Sequence, residues 1–264
     1  VCGTQLTRIE GEAAWVCPNK WTCPPQIYGR IEHFVGRHMM NIDGIGEEMA
    51  KRFYDEGLVK DVADLYDITY EQLMALDRFQ DKLATRILRG IDESRNVPFE
   101  RVIFALSIPF VGETTAKVLA RNLHNIDNLM AMPAEQLATI NEIGTKIAES
   151  IVDFFAVDQN RVIVERLRSA GLQMAVSEEQ LAAQSDRLAG KKIVISGVFT
   201  HHSREEYKAM IEQNGGKNVG SISSATDFVF AGANMGPAKL EKARKLGIPI
   251  INEDDFLALL NSEN

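Results

Sequence analysis

Apolar residues recur through most of this chain at spacings of three and four, which is typical of helices with one buried face. Leu83, Ile87, Leu88 and Ile91 show the pattern, and similar segments extend from about residue 28 to residue 184. After residue 185 the spacing changes, and short apolar runs alternate with polar stretches. The pattern predicts an all-helical region followed by a small domain of mixed strands and helices.

Within the helical region, one five-residue pattern occurs four times, in steps of 34, 32 and 32 residues. Its first and fourth positions are apolar, its fifth is glycine in three copies, and an alanine follows four residues after the fifth. The copies are Ile42–Gly46, Leu76–Gln80, Ile108–Gly112 and Ile140–Gly144, and the alanines are Ala50, Ala84, Ala116 and Ala148. Such a period indicates one supersecondary unit used repeatedly. We predict four units of helix, tight turn and helix, with alanine where paired helices approach.

Local signals agree with these boundaries. Thr69 precedes a helical segment in which Gln72 follows three residues later, which is the spacing of a capping box. Pro133 fits the first turn of a helix over residues 133–137.

Each turn is a candidate phosphate site. Glycine lets a partner approach the backbone, and the next helix begins with N–H groups that have no acceptor inside the helix. Basic side chains follow closely. We predict DNA contacts at Gly44, Gly46, Lys51, Arg52, Gly112, Lys117, Gly144 and Lys146.

The second copy has Gln80 in place of glycine and Arg78 inside the turn, so we expect it to be structural or to make a weak contact. The alternative for all four copies is a helical protein-interaction module in which glycine only caps a helix. Four copies with a retained alanine favour DNA over this alternative.

The last part of the chain, residues 187–264, predicts a β-α-β-β-α-β-α order. Strands are expected at 192–196, 227–231 and 248–251, and helices near 204–214, 238–246 and 254–260. Gly215 and Gly216 should end the first of these helices. Such alternation favours a parallel sheet with covering helices, and the polar residues 177–186 are predicted to be a linker.

Ligands gather at the carboxyl ends of strands in open α/β sheets. Ser196 and Gly197 end the first strand, and Arg204 and Lys239 lie where they can converge on it. These four residues form a candidate phosphate pocket. An ordinary strand end with surface cations is the alternative interpretation.

All three cysteines, Cys2, Cys17 and Cys23, stand beside turn-forming residues near the start of the chain. An odd number without an export signal argues against a disulfide framework, whereas structural zinc takes four ligands, commonly with one C-x2-C pair. Counting back three residues from Cys2 leads to a position before Val1, so we expect the chain to begin inside a zinc motif and the site to be weakened or empty. Three unconnected thiols are the alternative. His33 and His38 lack knuckle spacing.

Composition limits the mode of binding. The chain has 264 residues and a formal net charge of −8, and residues 28–184 hold 17 basic and 25 acidic side chains. DNA binding there has to depend on local geometry rather than on a broad basic face. We find no run of 18 or more apolar residues and no basic-then-apolar leader, and expect a soluble intracellular protein.

In their order, these parts resemble the C-terminal half of the bacterial NAD-dependent DNA ligases. The resemblance implies a zinc-ribbon-like module at 1–27, four helix–hairpin–helix repeats at 28–176, a linker at 177–186 and a BRCT domain at 187–264. In that family Cys2, Cys17 and Cys23 correspond to the second, third and fourth zinc ligands, and Gly215-Gly216 is the BRCT glycine pair. BRCT domains that hold phosphate have a Ser or Thr and a Lys where Ser196 and Lys239 stand, and Arg204 fits the subtype that binds a DNA 5′-phosphate.

The family seals nicks in duplex DNA with NAD and Mg²⁺, through a lysine of a Lys-x-Asp-Gly motif that takes up AMP. The nearest match here, Asn41-Ile42-Asp43-Gly44, has asparagine in place of that lysine. The resemblance therefore implies a DNA-binding region of a ligase that does not ligate alone. The hairpins are expected to contact the DNA backbone across the minor groove.

The implied setting is the bacterial cytoplasm, at the nucleoid, with nicked duplex DNA as partner, a monomeric state and further repair or replication proteins recruited by the BRCT domain. A non-catalytic repair scaffold that acts through its BRCT domain is the main alternative. A nuclease or helicase subunit is disfavoured, because the sequence has neither a metal-spaced acidic cluster nor a Walker loop.

Overall fold

The computed structural model describes residues 1–8 and 13–261. It divides into two compact units, Val1–Val176 and Ser177–Asn264. Among the described residues, no helix has both the length and the apolar character needed to cross a bilayer.

The first unit begins with a small antiparallel hairpin and continues as helices. Strands β1 (Thr7–Arg8) and β2 (Trp15–Val16) form the hairpin. The helices are α1 (Pro24–Val35), α2 (Glu47–Asp55), α3 (Tyr70–Met74), α4 (Asp81–Ser94), α5 (Phe99–Ala105), α6 (Glu113–Leu123), α7 (Ile126–Ala131), α8 (Ala134–Leu137), α9 (Thr145–Ala156) and α10 (Asp158–Ser169). A 3₁₀ helix, Val62–Asp67, lies between α2 and α3.

The repeated pattern corresponds to four hairpins that share one core. Each hairpin joins two helices, namely α1 to α2, α3 to α4, α5 to α6 and α8 to α9. The four alanines are fully buried, and the fourth residue of each turn is buried as well. A methyl group is the largest side chain that these sites hold without separating the helices, which explains the repeated alanine. The prediction of four helix–hairpin–helix units is confirmed.

The four hairpins are organised as two pairs that repeat each other. The first pair surrounds the 3₁₀ helix Val62–Asp67, and the second surrounds α7. Asp61 caps the 3₁₀ helix, and Asn125, 64 positions later in the numbering, caps α7 through its own side chain. The capping box of Thr69 and Gln72 is present. Pro133 differs from the prediction, because it is the N-cap of α8 and lies just outside the helix.

From β3 onward, the second unit has the predicted β-α-β-β-α-β-α order. Its elements are α11 (Glu178–Ala183), β3 (Lys192–Ser196), α12 (Arg204–Gln213), β4 (Lys217–Asn218), β5 (Phe228–Ala231), α13 (Pro237–Lys245), β6 (Ile250–Ile251) and α14 (Glu253–Asn261). The strands pair in parallel in the order β4-β3-β5-β6. The predicted α/β fold with a parallel sheet is confirmed.

Two details of this unit differ from the expectation. Residues 177–186, predicted as a linker, contain α11, because Ser177 and Gln180 form a capping box around its first turn. The second strand, for which the sequence suggested no residues, consists of Lys217 and Asn218 alone. Gly215 and Gly216 follow the end of α12 as expected, and Gly215 has a φ of +81°.

The sheet is very close-packed where β3 ends. A Cβ on Gly232 would lie 2.2 Å from the Val198 carbonyl oxygen, and a Cβ on Gly197 would lie 2.7 Å from the Gly232 carbonyl oxygen. Only glycine therefore permits the backbones after β3 and β5 to meet here. This approach positions the end of the first strand, where the phosphate pocket was predicted.

Candidate nucleic-acid interface and metal site

All four hairpin turns share one backbone feature, a positive φ at the third residue of each five-residue pattern. The angles are +98° at Gly44, +54° at Arg78, +65° at Phe110 and +73° at Glu142. Only the first hairpin has glycine at this position, although the conformation favours glycine. Packing acts in the same direction, because a Cβ there would lie 3.0 Å from Ile87 and 3.1 Å from Leu83, and these side chains would have to give way. Gly44 was predicted to contact DNA, whereas its φ and its packing give it an internal reason to be glycine.

The fifth residue of each pattern behaves differently. Gly46, Gly112 and Gly144 are exposed N-caps of helices with φ values of −96°, −88° and −78°, which any residue can adopt. A Cβ at any of the three would have no described atom of the chain within 4 Å. Gln80 occupies the same place in the second hairpin with a φ of −100°. The fold itself therefore does not need glycine at these three turns.

The helices that follow the hairpins begin without a side-chain cap. The N-cap residues of α2, α4, α6 and α9 make no side-chain cap hydrogen bond; they are Gly46, Gln80, Gly112 and Gly144. By contrast, Thr69, Asn125 and Ser203 cap other helices through their own oxygens. The hairpins thus supply no N-cap side chain that would compete with an outside acceptor for the first N–H groups of these helices.

Charge distinguishes these helix starts. The first turn of α2 contains Glu47 and Glu48, and that of α6 contains Glu113. The first turn of α9 contains no acidic residue and includes Lys146. Carboxylates near a helix N-terminus compete with an external anion for the positive end of the helix dipole. Of the three glycine turns, the one at Gly144 is the most favourable for phosphate.

The predicted basic residues lie next to the hairpins but already have partners. Lys51 Nζ lies 2.7 Å from Asp55, and Lys117 Nζ lies 3.7 Å from Glu113. Arg52 donates to the Asp77 carbonyl oxygen at 2.5 Å and lies over the Phe79 ring. These contacts are at the surface, where ion pairs contribute little and exchange readily with another anion.

Lys146 contacts a residue that the sequence analysis did not select. Its Nζ lies 4.0 Å from the ring centroid of Phe110, the third residue of the neighbouring hairpin. The hydroxyl of Ser150 donates to the Pro109 carbonyl oxygen at 2.8 Å, which holds this hairpin against α9. Arg86 and Asp43 make the corresponding contact between α4 and the first hairpin, at 3.6 Å. A signal for Phe110 existed in the sequence, because it aligns with Gly44.

The three cysteines converge as predicted. Their Sγ atoms all lie within 4.8 Å of one another, and those of Cys2 and Cys17 are 3.6 Å apart. Tetrahedral zinc with Zn–S bonds of about 2.3 Å places its sulfurs about 3.8 Å apart, so the three thiols fit one face of a zinc ion. Among the described residues no histidine joins them; His33 Nε2 instead lies 3.0 Å from the Phe104 carbonyl oxygen.

Local structure sets the positions of these thiols. Cys23 is the N-cap of α1, which begins with Pro24. The Gln26 side chain donates to the carbonyl oxygens of Cys17 and Asn19 at 3.0 and 3.1 Å and so fixes the turn between the second and third cysteines. Hydrogen bonds from the Thr4 side chain and backbone lower the pKa of Cys2 to about 6. Although a hydrogen bond from the Asn19 backbone acts to lower it, burial and the Cys2 and Cys23 thiols raise the pKa of Cys17. Thiolate is the form that binds metal, so Cys2 is the better prepared of these two thiols to coordinate it.

The predicted phosphate pocket is assembled in part. An Arg204 N–H donates to the Gly197 carbonyl oxygen at 3.1 Å, which places the guanidinium at the end of β3. Ser196 is buried. Lys239 is in the first turn of α13, and among the described residues it has no ion pair or hydrogen bond to Ser196, Gly197 or Arg204. The structure thus brings three of the four residues together.

A single carboxylate holds the loop that follows β3. Glu253 accepts hydrogen bonds from the N–H groups of Thr200 and His201, the Thr200 hydroxyl and the Tyr207 hydroxyl, at 2.7–3.0 Å. Burial acts to raise the pKa of Glu253, but these hydrogen bonds lower it to about 2. Glu253 was not predicted from the sequence, since its partners are about 50 positions away.

Known protein families match this chain in four successive segments, which follow the parts described above. The description "NAD-dependent DNA ligase C4 zinc finger domain" matches residues 1–24. A "SAM-like Helix-hairpin-helix tandem" matches 36–93, a "Helix-hairpin-helix motif" matches 101–164, and the "BRCA1 C Terminus (BRCT) domain" matches 183–260. The two helical matches coincide with the two hairpin pairs.

Relatives that carry the whole arrangement are named DNA ligase. The chain is 58% identical over 260 residues to that of Bacteroides fragilis, 54% over 259 residues to that of Phocaeicola vulgatus and 50% over 263 residues to that of Cytophaga hutchinsonii. These alignments cover 98–99% of this chain and 39% of each relative. The chain therefore spans about 39% of the length of the curated relatives it matches, and the predicted resemblance to the NAD-dependent ligases is confirmed.

Proposed function

Because this chain is homologous to bacterial DNA ligases along 98% of its length, we propose that it forms the duplex-binding part of an enzyme that seals single-strand nicks with NAD. In this proposal the hairpins contact the DNA backbone, and the second unit contacts the 5′-phosphate at the nick. NAD and Mg²⁺ are used by the rest of the enzyme. The setting is the bacterial cytoplasm at the nucleoid, and the protein acts as a monomer.

The observation that carries the proposal is the glycine at three hairpin turns where the fold requires none. At Gly46, Gly112 and Gly144 the backbone angles are ordinary and the space around the missing side chain is open. The N–H groups that follow have no side-chain cap. An outside ligand that approaches the backbone closely explains both features, and a phosphate matches the helix dipole.

Basic side chains around the turns would extend these contacts. Lys51, Arg52 and Lys117 would exchange their present surface partners for DNA phosphates, and Lys146 already lies beside the Gly144 turn. Since such contacts go to the backbone, they would position the duplex without reading its sequence. This mode suits an enzyme that must act at nicks in any sequence.

For the second unit we propose a 5′-phosphate site at the end of β3. Arg204 is held against Gly197, and the buried Ser196 ends the strand beside it. Lys239 would complete the pocket by reaching the phosphate as a point charge. Further repair or replication proteins would bind through the same unit.

Zinc would have a structural role in this protein. Cys2, Cys17 and Cys23 would hold it, and the ion would join the small β-hairpin to the start of α1. Because the nearest match to the family's Lys-x-Asp-Gly motif, Asn41–Gly44 of the first hairpin, has asparagine in place of the AMP-accepting lysine, these 264 residues are proposed to bind DNA without sealing it.

The test is a matched pair of substitutions at the fifth turn position. Gly144→Val fills the open space at the turn with the most favourable charge, and we expect about tenfold weaker binding to duplex DNA, the equivalent of one or two lost hydrogen bonds. Gln80→Val places the same side chain at the same backbone position of the second hairpin. Binding would be measured by fluorescence anisotropy, with helicity checked by circular dichroism.

The expected result is a clear loss for Gly144→Val and little change for Gln80→Val, with both proteins folded. Equal affinities for Gly144→Val and the wild type would contradict the proposal that the glycine turns contact DNA.

A further inference from the structure

Phe110 is an exposed aromatic side chain held at a hairpin tip by a backbone conformation that does not favour it. Phe110 is 52% exposed, and its φ is +65°. Bulky residues rarely adopt positive φ, and an exposed ring recovers little by burial. The corresponding turn residue of the first hairpin, Gly44, avoids both problems. The fold alone therefore does not account for phenylalanine at this tip.

The position of Phe110 relates it to two of the turns that we propose as phosphate contacts. Gly112 follows it by two residues in the same hairpin. Lys146, in the first turn after Gly144, lies 4.0 Å from the centre of its ring. Ser150 fixes the hairpin on α9 by its hydrogen bond to Pro109. The Phe110 ring thus lies on a hairpin tip that α9 holds in place, between the two proposed phosphate contacts at Gly112 and Gly144.

We propose that Phe110 is a wedge that inserts between base pairs of the bound duplex, between the phosphates held at the third and fourth hairpins. This inference rests on the proposed function of the hairpins. An apolar ring beside backbone contacts can enter a base step from the groove and partly unstack it. Insertion costs less at a nick or a flexible step, where stacking on one strand is already interrupted. Phe110 would therefore favour nicked over intact duplex without reading bases.

The main experiment uses the 264-residue chain and a nicked duplex with 2-aminopurine beside the nick, since the fluorescence of this base rises when it is unstacked. Wild type at saturation should raise the fluorescence. Phe110→Ala should abolish the rise and bind nicked DNA about tenfold more weakly, whereas Phe110→Leu should keep part of the rise. Arg78→Gly, at the same turn position of the second hairpin, should leave the rise unchanged.

Stability separates a binding role from a structural one. Phe110→Gly removes the strained conformation, so it should melt no lower than wild type while losing the fluorescence rise. A clear fall in Tm would show that the ring serves the fold, and would overturn the proposal.

The remaining outcomes are also decisive. A saturated wild-type complex without a fluorescence rise, or a Phe110→Ala protein equal to wild type in both readouts, overturns the wedge and leaves DNA binding by the hairpins intact. If wild type does not bind duplex DNA at any salt concentration, the proposed function fails and the wedge fails with it.

Discussion

The first hairpin, Ile42–Gly46, and the third, Ile108–Gly112, have the same turn conformation but different residues at their left-handed position. Gly44 lies so close to Ile87 of α4 that a side chain there would have to displace it, whereas Phe110 is half exposed beside Lys146. The buried apolar residues and alanines, by contrast, are alike in both. The comparison teaches that the inner face of these units maintains the fold, while the outer face is free to differ between copies.

The connections inside the two hairpin pairs differ in charge. In the first pair, Asp61 and Asp64 are both bound by Arg166 of α10, at 3.1 and 2.7 Å. In the second pair, the corresponding residues 64 positions later are Asn125 and Asn128, which form a neutral cap. One backbone design is therefore stabilised by an ion-pair cluster in one copy and by amide hydrogen bonds in the other.

The largest expected effect is a loss of stability at the buried alanines, which both hairpin pairs have in common. Ala50→Leu in the first pair and Ala116→Leu in the third hairpin each add three carbons at a fully buried position. Overpacking of this kind should lower the free energy of unfolding by about 2 kcal/mol at either site. Urea unfolding of the two variants measures it. Similar losses would support one shared packing scheme, and a loss at only one site would break the equivalence of the pairs.

A smaller loss of stability is expected at Asp64, in the segment that connects the two hairpins of the first pair. Although burial opposes its ionisation, hydrogen bonds from the Lys60 N–H, Arg166 and the Asp61 N–H lower the pKa of Asp64 below its ordinary value of 3.8. Since the folded pKa is the lower one, the stabilisation is present well above pH 4 and disappears as pH falls through the folded pKa. Asp64→Asn should therefore cost about 1 kcal/mol at pH 7.

The pH profile provides the control for this variant. The difference in unfolding free energy between wild type and Asp64→Asn should shrink as pH falls through the lowered pKa of Asp64, below which both side chains are neutral. Asp61 acts in the opposite direction, because burial and the neighbouring Asp64 raise its pKa. A difference that stays constant from neutral to acid pH would mean that the carboxylate is not the stabilising group.

The smallest predicted effect is a gain of function. Gln80→Gly gives the second hairpin the residue that the other three have at the fifth turn position, where its φ of −100° is already close to theirs. Opening this turn to a phosphate should strengthen duplex binding about threefold, the equivalent of one modest hydrogen bond. Anisotropy titrations of Gln80→Gly and wild type at one salt concentration would measure it. Weaker binding would indicate that the Gln80 side chain itself contacts DNA.

Much of the fold was predictable because it depends on periodic burial. Apolar residues at the first and fourth turn positions and the buried alanines follow directly from spacing, and so does the parallel sheet around β3 and β5. The β4 strand was not assigned, since two residues, Lys217 and Asn218, contain no periodicity.

The candidate site was predicted less completely. The left-handed turn residue was not recognised, because Arg78, Phe110 and Glu142 do not carry the glycine that usually marks it. The partner of Arg52 was also missed, since Asp77 comes near only once the hairpins are packed. The pair of Lys51 and Asp55 has i,i+4 spacing within α2, a signal that was present in the sequence and was not used. Spacing thus identifies what is buried and which neighbours pair along one helix, whereas contacts between different elements depend on tertiary structure.

The central claim is that local geometry at the hairpins binds duplex DNA despite the acidic surroundings. Fluorescence anisotropy with a nicked duplex and the same duplex intact, across a salt series, tests it most directly. We predict binding that weakens with salt, with a slope of about −3 in log K against log salt for three phosphate contacts, and a preference for the nick. Absence of binding at low salt, or an affinity independent of salt, would contradict the account.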